Sequence, residues 1–274
     1  MNGKREVLSR GTGVSPMQGA THGRDARATR SHLVLLLFLT ILSGVCEAAG
    51  PATQPADPAL WAKLTEIDAR AAKVKSLSAN FDQQKFTALL RKPLESSGTV
   101  RINGSVMRWD TKQPEPSVLL IDGKEAKVYY PNQKTLEIYP MDKRLADLAA
   151  SPLPRLDVLK ARFAFRQIDN SELDKSAPAG RFIALELTPT DPALAEHVQR
   201  VRVLLDVAGA YIIKAEMTDS DGDRTALSFR DVQLNAAVGD LALAVPPGTA
   251  VTRPLEGLDG QAPPRPSKSQ GPAK

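Results

Sequence analysis

Three observations predict a mainly β (α+β) fold. Apolar and polar residues alternate with a period of two through most of the chain after residue 76, turn dipeptides carrying Gly separate those runs, and one long stretch keeps a helical period. Strands that follow one another through tight turns pair antiparallel, because a parallel pair needs a long crossover. The expected architecture is a single antiparallel sheet of about ten or eleven strands, a size at which twist curls the sheet and helices can plug its concave side.

The elements follow in order. Asp57 suits a helix N-cap with Pro58 in the first turn, and Trp61, Leu64, Ile67, Ala71 and Val74 recur at three- and four-residue steps, predicting a helix that ends near Lys75. Strand-like runs then cover residues 77–83, 98–102, 106–109, 117–121, 126–130, 136–139, 162–168, 181–187, 198–206, 211–218 and 225–234. Asn103-Gly104, Asp122-Gly123, Ala208-Gly209 and Asp221-Gly222 supply turns between them. Residues 141–160 break the pattern: Leu145, Leu148 and Ala149 suggest one short helix and residues 156–160 another, around Ser151-Pro152-Leu153-Pro154.

Residues 1–48 read as a signal peptide with a long N-terminal extension. Arg24, Arg27 and Arg30 precede an apolar run from Leu33 to Leu42 and a small-residue stretch, with cleavage expected near Ala48 or Ala49 and a periplasmic destination. The run is about half of the roughly 20 residues that a membrane-spanning helix requires. Met17 offers a later start, and Cys46 offers lipid attachment as the alternative to simple cleavage, although Val45 suits such a signal poorly. A linker over 49–57, a domain over 58–252 and a disordered Pro-rich tail over 253–274 complete the expected organisation.

Composition excludes much chemistry. The 274 residues hold 36 Lys+Arg, 31 Asp+Glu, three His and one Cys, and 42% are hydrophobic. The leader contains His22, His32 and Cys46, so the mature chain keeps only His197, and zinc, thiol and disulfide chemistry lose their reagents. It also takes six basic and three acidic residues, which leaves the remainder close to neutral and without a footprint for nucleic acid. Asp219-Ser220-Asp221-Gly222-Asp223 echoes a calcium loop, yet the Glu that such a loop needs falls where Ser228-Phe229-Arg230 stands, so it reads as a polar hairpin tip. His197 reads as a surface residue, and Arg200 and Arg202 alternate with Val201 and Val203 as the wet face of a strand. Paired carboxylates are left open by the sequence, but no Asp or Glu stands apart from turns and solvated faces. No enzyme, cofactor, metal or catalytic residue is expected.

The ordered set Leu77-Ser78-Ala79-Asn80-Phe81-Asp82-Gln83, residues 98–102, Met107-Arg108-Trp109-Asp110, Gln113-Pro114, residues 117–124 and Tyr129-Tyr130-Pro131 resembles the LolA family of periplasmic lipoprotein carriers. Residues 225–235 and Pro246-Pro247-Gly248-Thr249-Ala250-Val251 resemble that family's last strand and its proline-glycine end. The resemblance covers about residues 58–252. It implies an unclosed β-barrel (half-barrel) of about 11 strands with a helical lid over an apolar cavity, which shields the acyl chains of lipoproteins during transfer toward the outer membrane. The implied partners are acylated lipoproteins, an inner-membrane release transporter and an outer-membrane acceptor, with transient membrane contact. The expected cavity residues are Phe81, Phe86, Val100, Ile102, Met107, Trp109, Leu120, Tyr129, Ile138, Leu145 and Leu148. Trp109 reads first as a core residue and second as a ligand contact, and Phe81 and Phe86 share the ambiguity, since an inward face is core below and cavity above. Tyr129 and Tyr130 point to opposite faces, so only one of them can line a cavity.

Two departures stand out. The family's Arg-Pro pair before the Trp strand, whose Arg holds the lid closed, is replaced by Asn103-Gly104, and aromatic residues are only 5% of the chain. Leu89-Leu90, ahead of Arg91-Lys92-Pro93, reads as a buried strand end, with an exposed membrane- or partner-touching loop as the alternative. A lipid- or partner-binding sensor or a lipid-anchored receptor on the same half-barrel is the alternative function.

Overall fold

The computed structural model describes residues 57–141 and 151–254. The leader, most of the linker, the helix expected around Leu145 and Leu148, and nearly all of the tail lie outside the described residues.

Helix α1 (Pro58–Ala71) opens as its sequence dictates: the Asp57 carboxylate accepts from the Ala59 and Leu60 amides at 2.9 and 3.3 Å, and Leu60, Leu64, Ile67 and Ala71 form its buried stripe. The helix stops short of the expected Lys75. Val74 leaves the helix to pack on a different apolar cluster from the one that receives the stripe.

Twelve strands form one open sheet: β1 (Ser76–Phe86), β2 (Leu94–Asn103), β3 (Val106–Gln113), β4 (Ser117–Ile121), β5 (Glu125–Tyr130), β6 (Thr135–Pro140), β7 (Phe163–Ile168), β8 (Phe182–Pro189), β9 (Val198–Asp206), β10 (Tyr211–Asp219), β11 (Arg224–Leu234) and β12 (Ala250–Thr252). Short helices α2 (Leu156–Leu159) and α3 (Pro192–Ala195) flank β7 and β9. The spatial order is β12-β6-β5-β4-β3-β2-β1-β11-β10-β9-β8-β7, with β7 and β12 as free edges. The centre is the long-range pair β1–β11, matched from Leu77↔Leu234 to Phe86↔Arg224, which joins an N-terminal meander to a C-terminal one. Asp231, at φ 54°, absorbs a bulge in this pair, and its carboxylate accepts from the Asn80 side-chain amide at 2.8 Å.

The sequence reading finds eleven of these strands and misses β12. This three-residue, fully exposed strand pairs parallel to β6, and an exposed triplet has no periodicity to read. The chain reaches β6 by crossing the outer face, where Arg101 donates to the Val238 carbonyl and Arg108 to that of Ala242. Three Gly turns take positive φ at Gly104, Gly123 and Gly222, but in the Ala208-Gly209 turn the left-handed residue is Ala210 (φ 56°). There the Asp206 carboxylate fixes the preceding bend by accepting from the Gly209 amide at 2.8 Å.

Candidate binding face

Strand parity gives the sheet two chemically different faces. The inner face carries two separate apolar clusters. One comprises Leu77, Ala79, Phe81, Val100, Ile102, Met107, Trp109, Leu119, Ile121, Ala126, Val128 and Tyr130 from β1–β5, with Leu227 and Phe229 from β11. The other comprises Phe163, Phe165, Ile183, Leu185, Leu187, Val203, Leu205 and Met217 from β7–β10, covered by the α1 stripe. Ala215 on β10 packs against both, so the two halves of the inner face meet at a small side chain.

An aromatic trio anchors the first cluster. Trp109 lies 4.7 Å from the Phe81 ring and 5.9 Å from that of Phe229, both tilted, and its indole N–H donates to Met107 Sδ at 3.1 Å. Gly98 makes this packing feasible: a Cβ there would overlap the Asp110 carbonyl oxygen and lie 2.9 Å from the Phe81 ring. Polar groups sit on the inner face as well. The Tyr139 hydroxyl donates to Glu137 at 2.9 Å; burial and the nearby Glu137 carboxylate push the phenols of Tyr130 and Tyr139 far up.

The structure divides the expected cavity residues. Phe81, Val100, Ile102, Met107 and Trp109 share the inner face. Phe86, Leu120, Tyr129 and Ile138 do not, because they sit at the opposite parity of their strands. Phe86 lies under the Arg224 guanidinium, 3.9 Å from its ring. Leu120 pairs with Arg108 and Lys127, while Tyr129 and Ile138 join Leu136 in a small outer cluster that Leu243 covers. Of the two tyrosines, Tyr130 is the inward one. These four therefore lie on the outer face and not on the expected inner one, Tyr129 and Ile138 beneath Leu243 of the C-terminal crossing and Phe86 beneath Arg224. Leu145 and Leu148 lie outside the described residues.

Phe229 and Ala215 were not on the expected list, although the alternation Thr225, Leu227, Phe229 was legible. Leu89 and Leu90 are 91% and 40% exposed in the β1–β2 loop, which corrects their reading as a buried strand end. The Asp219–Asp223 tip is a hairpin whose Asp219 carboxylate accepts from the amides of Asp221 and Asp223. Among the described residues no cluster of His, Cys, Asp and Glu could hold a metal ion. A groove of about 670 Å³ is lined by outer-face residues Asp82, Gln84, Glu95, Lys214 and Arg230 together with Gln83, Ser96 and Phe229.

Residues 72–242 match the family described as "Outer membrane lipoprotein carrier protein LolA". An outer-membrane lipoprotein carrier protein of Chromohalobacter salexigens is 27% identical over 187 residues, covering 66% of this chain and 81% of its own. One from Xanthomonas campestris is 28% identical over 190 residues, covering 68% and 85%. A solved LolA superfamily protein from Nitrosomonas europaea overlays with a TM-score of 0.33 at 14% identity, covering 64% of this chain and 94% of its own.

Proposed function

The chain belongs to the LolA family of outer membrane lipoprotein carrier proteins, and from that premise we propose that it is a periplasmic carrier whose inner sheet face shields the acyl chains of lipoproteins on their way to the outer membrane. The observation that carries this reading is the inner face itself: apolar side chains from both meanders, in two clusters that meet at Ala215. Each CH₂ taken from water is worth about 0.8 kcal/mol, so acyl chains need an escort through an aqueous compartment. Separable clusters suit that task better than one interlocked core, because a seam can part without unfolding either half. The work is binding and release and breaks no bond. Phe81, Val100, Ile102, Met107 and Trp109 are the residues proposed to touch the chains.

Delivery requires contact with donor and acceptor membranes or their proteins. The β1–β2 loop presents Leu89 and Leu90 beside Arg91 and Lys92, a greasy tip with positive charge that fits brief contact with an anionic bilayer surface. The test uses the mature chain added to spheroplasts that carry radiolabelled, acylated lipoprotein. A carrier brings label into the soluble fraction as a complex with the chain. Label that stays wholly with the membranes refutes the reading.

A further inference from the structure

The inner face changes character along its length, and four adjacent strands change together. Toward one end it is the apolar surface described above. Toward the β1–β2 loop, β1 continues as Gln83 and Lys85, β11 as Thr225, β2 as Ser96 and β3 as Thr111, all at inward parity. Gln83 and Lys85 are each 3% exposed and Thr225 is 1%. The hydroxyls of Thr225 and Thr111 are buried without a hydrogen-bond partner. Lys85, directly opposite Thr225, has its ion-pair partner Asp223 at 3.8 Å, beyond hydrogen-bond reach. The two hydroxyls and the Lys85 ammonium, held this loosely, are costly in a merely structural patch and useful where an acceptor arrives.

We propose that this end of the inner face is a head-group subsite, in which Lys85, assisted by Thr225, takes the acceptor oxygens at the head of an acyl amphiphile whose tail runs along β1 toward Ala79 and Trp109. The proposal rests on the acyl-carrier reading above and adds an orientation to it. From Lys85 to Ala79 the strand rises about 20 Å, close to the reach of an extended palmitoyl chain. The shared chemistry is a carboxylate or ester oxygen meeting an ammonium out of water, where charge-assisted hydrogen bonds are strong. Asp223 occupies the ammonium's field in the free protein, so the incoming head competes with it.

The test measures affinities of the mature chain for three probes: palmitate, a dipalmitoylglyceryl-cysteine peptide, and 1-bromohexadecane, which has a tail but no acceptor oxygen. Lys85→Met should weaken palmitate, the lipopeptide or both by about tenfold and leave 1-bromohexadecane unchanged, while Lys85→Arg retains binding. Which probe suffers tells a carboxylate head from an ester head. Asp223→Asn should tighten the same probe, because it removes the competitor. A loss of equal size for all three probes, no loss for any, or an Asp223→Asn variant that weakens binding as Lys85→Met does would overturn the subsite. Failure of the unmodified chain to bind any of the three would instead sink the carrier reading itself.

Discussion

At the scale of single residues, two positions show how tightly the β2–β3 pair is specified. Gly98 lies where β3 and the Phe81 ring leave no room for a side chain. Gly98→Ala must therefore push β3 away or tilt Phe81, and should destabilise the fold by about 1–3 kcal/mol, read as a lowered urea midpoint. On the outer side, Asp110 accepts from both Arg101 and Arg108 at 2.8 Å. Burial pushes its carboxyl up, but the hydrogen bonds and charges of Arg108 and Arg101 outweigh burial and hold it below the usual range. A depressed folded value means that this stabilisation is present above about pH 4 and is lost as pH falls through the folded value. Asp110→Asn should lower stability at pH 7 and flatten the acid limb of its pH profile, measured by urea titration from neutral to acid pH.

Among the elements, α1 is the clearest case of tertiary packing adding to local preference. Its N-cap and stripe are written in the sequence, but four buried residues stabilise it only against β7–β10. Leu64, with no exposed surface, should cost about 2–5 kcal/mol as Leu64→Ala. Hydrogen exchange in that variant should rise first in α1 and β7–β9, with β1–β3 protected longer, because the two inner clusters are separate. Even exchange across both halves would mean that the seam at Ala215 transmits packing fully.

For the whole molecule, membrane contact falls, under the proposed carrier function, to the β1–β2 loop at the polar end of the inner face. Leu89 makes few contacts at 91% exposure, so Leu89→Glu should leave the thermal midpoint within about 1 °C of the parent. Its effect belongs to membrane encounter: binding to vesicles with anionic lipid should fall several-fold while palmitate affinity stays unchanged. Parallel losses in both assays would assign the leucine to the cargo site.

The sequence by itself determined eleven strands, the first helix, most turns and the family. Period-two alternation and Gly at positive φ act over a few residues, and that physics is complete in the local chain. Tertiary structure decided which face each alternating set occupies. Tyr129 and Ile138 alternate as well as Leu119 and Val128 do, yet this outer pair is covered by Leu243, arriving from more than a hundred residues away. It also placed β12 against β6 and brought Lys85, Thr225 and Asp223 together across the central pair. Period two tells two faces apart but cannot say which one is inside, because that depends on what the rest of the chain lays over each of them.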